Sequence, residues 1–134
     1  RSGVKWSGLY CEEEILLLEF EDITGRPDSA VSSNLQEISM DCTLYIEVEV
    51  TKQCLLYVFK NGGVAHEFDL GGGCPEYCCL DFKKGDVLKF GVDSVFVTNG
   101  TITIRENNER GRLVCQIGID IKHPVGGGGG GFGY

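Results

Sequence analysis

Two stretches of this chain alternate apolar and polar residues so regularly that each must lie extended with one face buried. In Thr43-Leu44-Tyr45-Ile46-Glu47-Val48-Glu49-Val50, the residues Leu44, Ile46, Val48 and Val50 fall on one face, and Tyr45, Glu47 and Glu49 on the other. A period of two is the mark of a half-buried β-strand. Leu113 to Ile121 repeats it, with Leu113, Cys115, Ile117, Ile119 and Ile121 on one side.

The residues between these stretches extend the pattern. Cys54–Lys60 and Val64–Leu70 flank Asn61-Gly62-Gly63, which reads as a hairpin whose turn needs positive φ. Leu80–Phe82 leads through a Lys83-Lys84-Gly85-Asp86 turn into Val87–Val92. Val95–Val97 and Thr101–Ile104 flank Asn99-Gly100, a second predicted hairpin. Ala30 to Met40 is Ser-rich and weakly periodic, and reads as a loop with at most one turn of helix. Short strands separated by turns every roughly 8 to 12 residues predict an all-β fold. The form expected is an antiparallel β-sandwich or jelly-roll-like domain of about eight or nine strands, with a glycine-rich C-terminal tail. A chain of 134 residues fits one domain, read as 1–124 followed by a tail over 125–134, with 1–24 a candidate for exchange between copies.

Leu80-Asp81-Phe82-Lys83-Lys84-Gly85-Asp86-Val87-Leu88-Lys89-Phe90 resembles the strand–KGD–strand segment of jelly-roll domains in the C1q and tumour-necrosis-factor family. The resemblance implies the fold, and neither trimers nor receptor sites are carried over from it.

Twelve basic against twenty acidic residues leave a formal charge of −8. Such a surface repels nucleic acid, whose binding rests on Lys and Arg displacing phosphate counterions, and it disfavours anionic membranes. No apolar run reaches the length of a membrane span. The sequence starts at Arg1 without a signal-like segment, which suggests a processed or excised form.

Seven cysteines, Cys11, Cys42, Cys54, Cys74, Cys78, Cys79 and Cys115, are many for this length. That density points to an oxidising, extracellular compartment and to disulfides, with Cys54 and Cys115 candidates for a cross-sheet bridge. The odd count leaves at least one thiol free or joined to another chain. No metal site or cofactor is expected, because paired CxxC ligands are missing and His66 and His123 lie far apart. No catalytic residue is expected either. His66 alternates with Phe68 and Leu70, as a partly buried strand histidine would, and no cysteine sits in the electropositive setting a thiolate nucleophile needs. The acidic runs read as solvated faces. Asn99-Gly100-Thr101 is an N-glycosylation acceptor and places Asn99 at the surface in either reading.

Ile15-Leu16-Leu17-Leu18-Glu19-Phe20 is apolar on both faces. It is expected to be either a central strand covered on both sides or a strand inserted into a neighbouring molecule. Six consecutive glycines, Gly126 to Gly131, bring no side chain to bury. Fixing them costs about 1 to 2 kcal/mol per residue, so an ordered tail would need a gripping surface, with Phe132 and Tyr134 as anchors.

These features lead to a first functional expectation. The chain would be a self-assembling structural subunit of an extracellular filament, appendage or matrix, its partners copies of itself joined by strand exchange and an intermolecular disulfide. The alternative is a secreted lectin-like or receptor-binding module dependent on carbohydrate or calcium. Trp6, Tyr10, Tyr45, Tyr57, Phe96, Phe132 and Tyr134 are its candidate platforms, and glycans its partners.

Overall fold

A computed structural model describes residues 15–122, and among them every regular element is a strand. In chain order these are β1 (Ile23–Gly25), β2 (Ser29–Ser32), β3 (Gln36–Glu37), β4 (Cys42–Val50), β5 (Cys54–Lys60), β6 (Gly63–Leu70), β7 (Glu76–Phe82), β8 (Val87–Ser94), β9 (Thr98–Glu106) and β10 (Leu113–Ile121). No helix among the described residues is long and apolar enough to cross a membrane.

The strands form two sheets. The first has the order β1-β10-β9-β4-β7, and the second β2-β8-β5-β6, with β3 also paired to β8. The pairings nest: β5 with β6, β4 with β7, and β2 and β3 with β8. All are antiparallel except β1 with β10, which run parallel with Ile23 opposite Ile119.

The alternation read from the sequence fixes which side of each strand is inside. Leu44, Ile46 and Val48 of β4, Ile102 and Ile104 of β9, and Ile117, Ile119 and Ile121 of β10 are buried. They join one cluster with Leu56 and Val58 of β5, Phe68 and Leu70 of β6, and Leu88, Phe90 and Val92 of β8. Each such side chain contributes about 1.5 to 3 kcal/mol by leaving water. His66 is half-buried, its ring edge-on to Phe68 at 4.6 Å.

The described residues form ten strands where eight or nine were expected: β1, β2 and β3 are additional, 15–20 forms none, and the segments at 95–97 and 101–104 give one. Ala30–Met40 holds β3 and most of β2 where a loop was expected. Pairing to β8 satisfies their main chain, and Ile38 between Glu37 and Ser39 is fully buried. The second expected hairpin is not formed. β9 runs straight through Asn99-Gly100, and Val95–Val97 is a loop. Gly100 serves close approach instead, since a Cβ there would lie 2.0 Å from the Glu49 carbonyl oxygen of β4.

The segment 15–22 is also not covered on both faces. Leu16 and Leu18 are buried at 1% and 5% exposure, whereas Ile15 and Leu17 stand at 55% and 65%. Phe20 packs edge-on against Phe90 at 5.3 Å. Its main chain is held by side chains: Asn34 and Gln36 donate to the Glu19 carbonyl, Ser39 donates to that of Ile15, and the Glu21 N–H donates to Asn34 Oδ1. One face therefore rests on the domain's own core and the other faces outward. Residues 1–14 and 123–134, including the expected tail with Phe132 and Tyr134, lie outside the described residues.

Two turns match the sequence reading. Asn61 and Gly62 take φ of 54° and 86° between β5 and β6. In the Lys83–Asp86 turn, Asp86 accepts from Asn61 Nδ2 at 3.0 Å and from the Lys83 N–H at 2.8 Å. The Asn61 bond foremost, then that of Lys83, holds the Asp86 carboxyl below its usual value. A depressed folded pKa gives stability that is complete above the unfolded value of about 3.9 and is lost as pH falls through the folded value. Asp86→Asn should thus lower the melting temperature at pH 7 and flatten its decline between pH 4 and pH 2. An acid decline as steep as the wild type's would remove Asp86 from that account.

Candidate ligand groove on the second sheet

Residues of β5 at odd positions point out of the second sheet, and the register aligns them with their neighbours in rows. Leu55 lies between Asp69 of β6 and Asp93 of β8. Tyr57 lies between Glu67 and Gly91. Phe59 follows, beside Lys89, after a bulge that shifts β6 by one residue. The outer face thus carries an apolar ridge along β5 with carboxylates on both flanks.

Leu55, Tyr57 and Phe59 are half-buried although no strand of the described residues covers this face, because they shield one another. The Tyr57 and Phe59 rings lie 6.1 Å apart at 32°, and Lys89 Nζ sits 5.8 Å from the Phe59 centroid. Gly91 makes room for this arrangement. A Cβ there would come within 2.9 Å of Phe59 Cε2. Phe59 thus takes the space a side chain at 91 would need, and beside it lies a depression of about 230 Å³ bounded by Ser32, Tyr57, Phe59, Lys89 and Asp93.

That depression shares Asp93 with a second of about 370 Å³, bounded by Gln53, Leu55, Asp69, Val95 and Phe96. The second shares Gln53, Val95 and Phe96 with a third of about 590 Å³, which is open at the loop end and reaches Thr51, Lys52 and Gly71. The three lie in series from the sheet face to the loops, each neighbouring pair sharing lining residues.

The loop end is built to hold its shape. Buried Ser94 accepts from the Phe96 N–H at 3.1 Å and donates to the Phe96 carbonyl at 2.6 Å. This tight local motif fixes Phe96 while leaving its side chain 48% exposed. Thr98, also buried, accepts from the Lys52 N–H and donates to the Lys52 carbonyl, both at 2.9 Å. Thr51 and Asn99 exchange two further bonds, Thr51 N–H to the Asn99 carbonyl and Asn99 N–H to Thr51 Oγ1. The loop at 51–53 is therefore tied to the start of β9, and Phe96 to the end of β8.

Chemically the depressions offer aromatic faces, carboxylate acceptors at Asp69 and Asp93, the Gln53 amide and the ammonium groups of Lys52 and Lys89. No family model, curated protein or solved structure matches this chain.

Of the aromatic platforms expected from sequence, Tyr57 and Phe96 lie in the groove. Tyr45 lies on the opposite sheet, stacked on Tyr77 at 5.3 Å and 26°. Trp6, Tyr10, Phe132 and Tyr134 fall outside the described residues. Sequence reasoning missed Phe59 and Gly91. Their signal is register: an aromatic at i and one at i+2 on β5 face the same way, and a glycine on the neighbouring strand faces the gap.

The six described cysteines are all free thiols, so the expected Cys54–Cys115 bridge is not formed. Their in-sheet neighbours are aliphatic, Leu70 opposite Cys54 and Ile104 opposite Cys115. Burial pushes the thiols of Cys54, Cys78 and Cys115 up to about 11, which keeps them protonated and inert at neutral pH. Cys42 is raised as well, by burial first and then by Glu106. Cys74 and Cys79 are exposed. Cys11 lies outside the described residues. Asn99 is exposed in β9, as its acceptor motif requires. Among the described residues no group of three or more His, Cys, Asp or Glu side chains is placed to hold a metal ion.

Proposed function

We propose that this is a jelly-roll β-sandwich binding module whose second sheet takes a neutral oligosaccharide along its outer face. The nested strand pairing supports the jelly-roll reading, since a hairpin wound on itself pairs its strands in that order. One observation carries the functional reading: three neighbouring depressions lie in series past Tyr57, Phe59 and Phe96, with Asp69 and Asp93 in their linings. Aromatic rings pack on the apolar faces of sugar rings, and carboxylates and amides accept or donate to their hydroxyls. The elongated outline fits a chain of several sugars better than one compact ligand. A formal charge of −8 disfavours anionic glycans.

A panel of neutral oligosaccharides tested by array and then calorimetry decides the matter. Each aromatic contact contributes about 0.5 to 1.5 kcal/mol beyond its buried area, so Phe96→Ala and Tyr57→Ala should each weaken binding about tenfold. Phe96 lies in an exposed loop, and its replacement should leave the melting temperature nearly unchanged. A panel without hits, or hits indifferent to both substitutions, would end this reading.

The second reading, self-assembly into an extracellular structure, is favoured by a separate observation: among the described residues, β7 ends the first sheet with one side unpaired.

A further inference from the structure

Among the described strands, sheet edges belong to β1, to β2 and β3, to β6 and to β7. An unpaired edge presents main-chain donors and acceptors to any strand that reaches it, and folds blunt such edges by keeping them short or bulged. β1 has 3 residues, β2 has 4 and β3 has 2. β6 has 8 but carries the bulge facing Val58 and Phe59. β7 has 7 residues paired to β4 without a register shift. It is the long, regular edge left open.

Which groups of β7 face outward follows from β4. Thr43 and Thr51 bond toward β9, through Asn107 N–H to the Thr43 carbonyl and Thr51 N–H to the Asn99 carbonyl. The Val50 carbonyl accepts from Gly73, on the β7 side. Even-numbered residues of β4 therefore bond β7, and their partners are Phe82, Leu80, Cys78 and Glu76. The main-chain groups of Tyr77, Cys79 and Asp81 are left facing the open edge. Lys60 Nζ, which donates to the Asp81 carbonyl at 2.8 Å, confirms the direction. That carbonyl keeps a second lone pair.

We propose that β7 pairs antiparallel with β7 of a second copy about a two-fold axis at Cys79, joining two five-stranded sheets into one of ten strands. The proposal rests on the self-assembly reading and names its interface. Cys79 is the middle residue of β7. A two-fold there sets Cys79 against its own copy and Tyr77 against Asp81, giving about six main-chain hydrogen bonds. The register is self-complementary. Glu76 meets Phe82, Cys78 meets Leu80, and no two like charges stand opposite each other, an arrangement that would be destabilising. Tyr77, 65% exposed and stacked on Tyr45, would extend its ring over the seam.

Sedimentation of the full chain at micromolar concentrations, followed by a short bis-maleimide and peptide mapping, tests this. A dimer cross-linked between two Cys79 residues is the expected result, lost in Cys79→Ser and kept in Cys74→Ser. Cys79→Lys sets two ammonium groups face to face and should raise the dimer Kd at least tenfold. Because Cys79 is exposed, its melting temperature should stay close to that of Cys79→Ser. An oligomer that withstands Cys79→Lys, or cross-links only elsewhere, overturns this interface and leaves self-assembly standing. A chain that remains monomeric throughout overturns both.

Discussion

Gly100→Ala is expected to abolish stable folding, or to cost at least about 3 kcal/mol, the upper end for over-packed sites. The added methyl would sit 2.0 Å from the Glu49 carbonyl oxygen and 2.8 Å from the Val50 Cα. Both belong to backbone, so no side chain can turn aside to admit it. β4 and β9 are central strands of the first sheet, paired from Leu44 opposite Glu106 to Val50 opposite Gly100. Parting them at one end exposes Thr98 and the bonds by which it and Thr51 hold the loop end of the groove. A domain of ordinary stability has about 5 to 15 kcal/mol in all, so the substitution should be visible as loss of soluble protein or a large drop in melting temperature. An alanine variant melting within a degree or two of the wild type would mean that the strands do not approach so closely.

Leu16→Ala and Leu17→Ala should part company. Leu16 is 1% exposed and belongs to the core cluster, so its truncation removes buried methyl groups and leaves a cavity. Substitutions of that kind cost about 2 to 5 kcal/mol. Leu17, 65% exposed, should change stability by no more than about 0.5 kcal/mol. Denaturant unfolding of both variants reads the contrast directly. Equal costs would restore the expectation that this segment is covered on two faces. The same pair separates a segment bound to its own domain from one shared between copies. If the segment is exchanged, Leu16→Ala weakens association, and its melting temperature rises with protein concentration.

Much of the fold was legible because strand periodicity is local. The alternation in Thr43–Val50 and Leu113–Ile121 needs no knowledge of the partners, and the bounds of β5 and β10 match the sequence reading. What escaped depends on neighbours. Asn99-Gly100 carries the usual mark of a tight turn, yet a glycine also answers a close approach by another strand, and only β4 distinguishes the two. β2 and β3 are too short and too polar to signal themselves, and exist because β8 offers them a free side. The apolar run Ile15-Leu16-Leu17-Leu18 looks doubly apolar because composition does not tell a buried residue from an exposed one. The groove was half visible: Tyr57 and Phe96 stood out as aromatics. The joining residues Leu55, Gly91 and Asp93 come together only through the pairing of β5 with β8.

The parallel contact of β1 with β10 bears on how the molecule is made. Ile23 emerges from the ribosome long before Ile119, its eventual neighbour, and until then the nascent first sheet lacks the strand that separates β1 from β9. Contacts between residues so distant in sequence slow folding. During that wait the apolar edges of β1 and β9 are bare, and unpaired edges of this kind are open to aggregation and to chaperones. The first sheet is thus committed to closing late, after synthesis of β10.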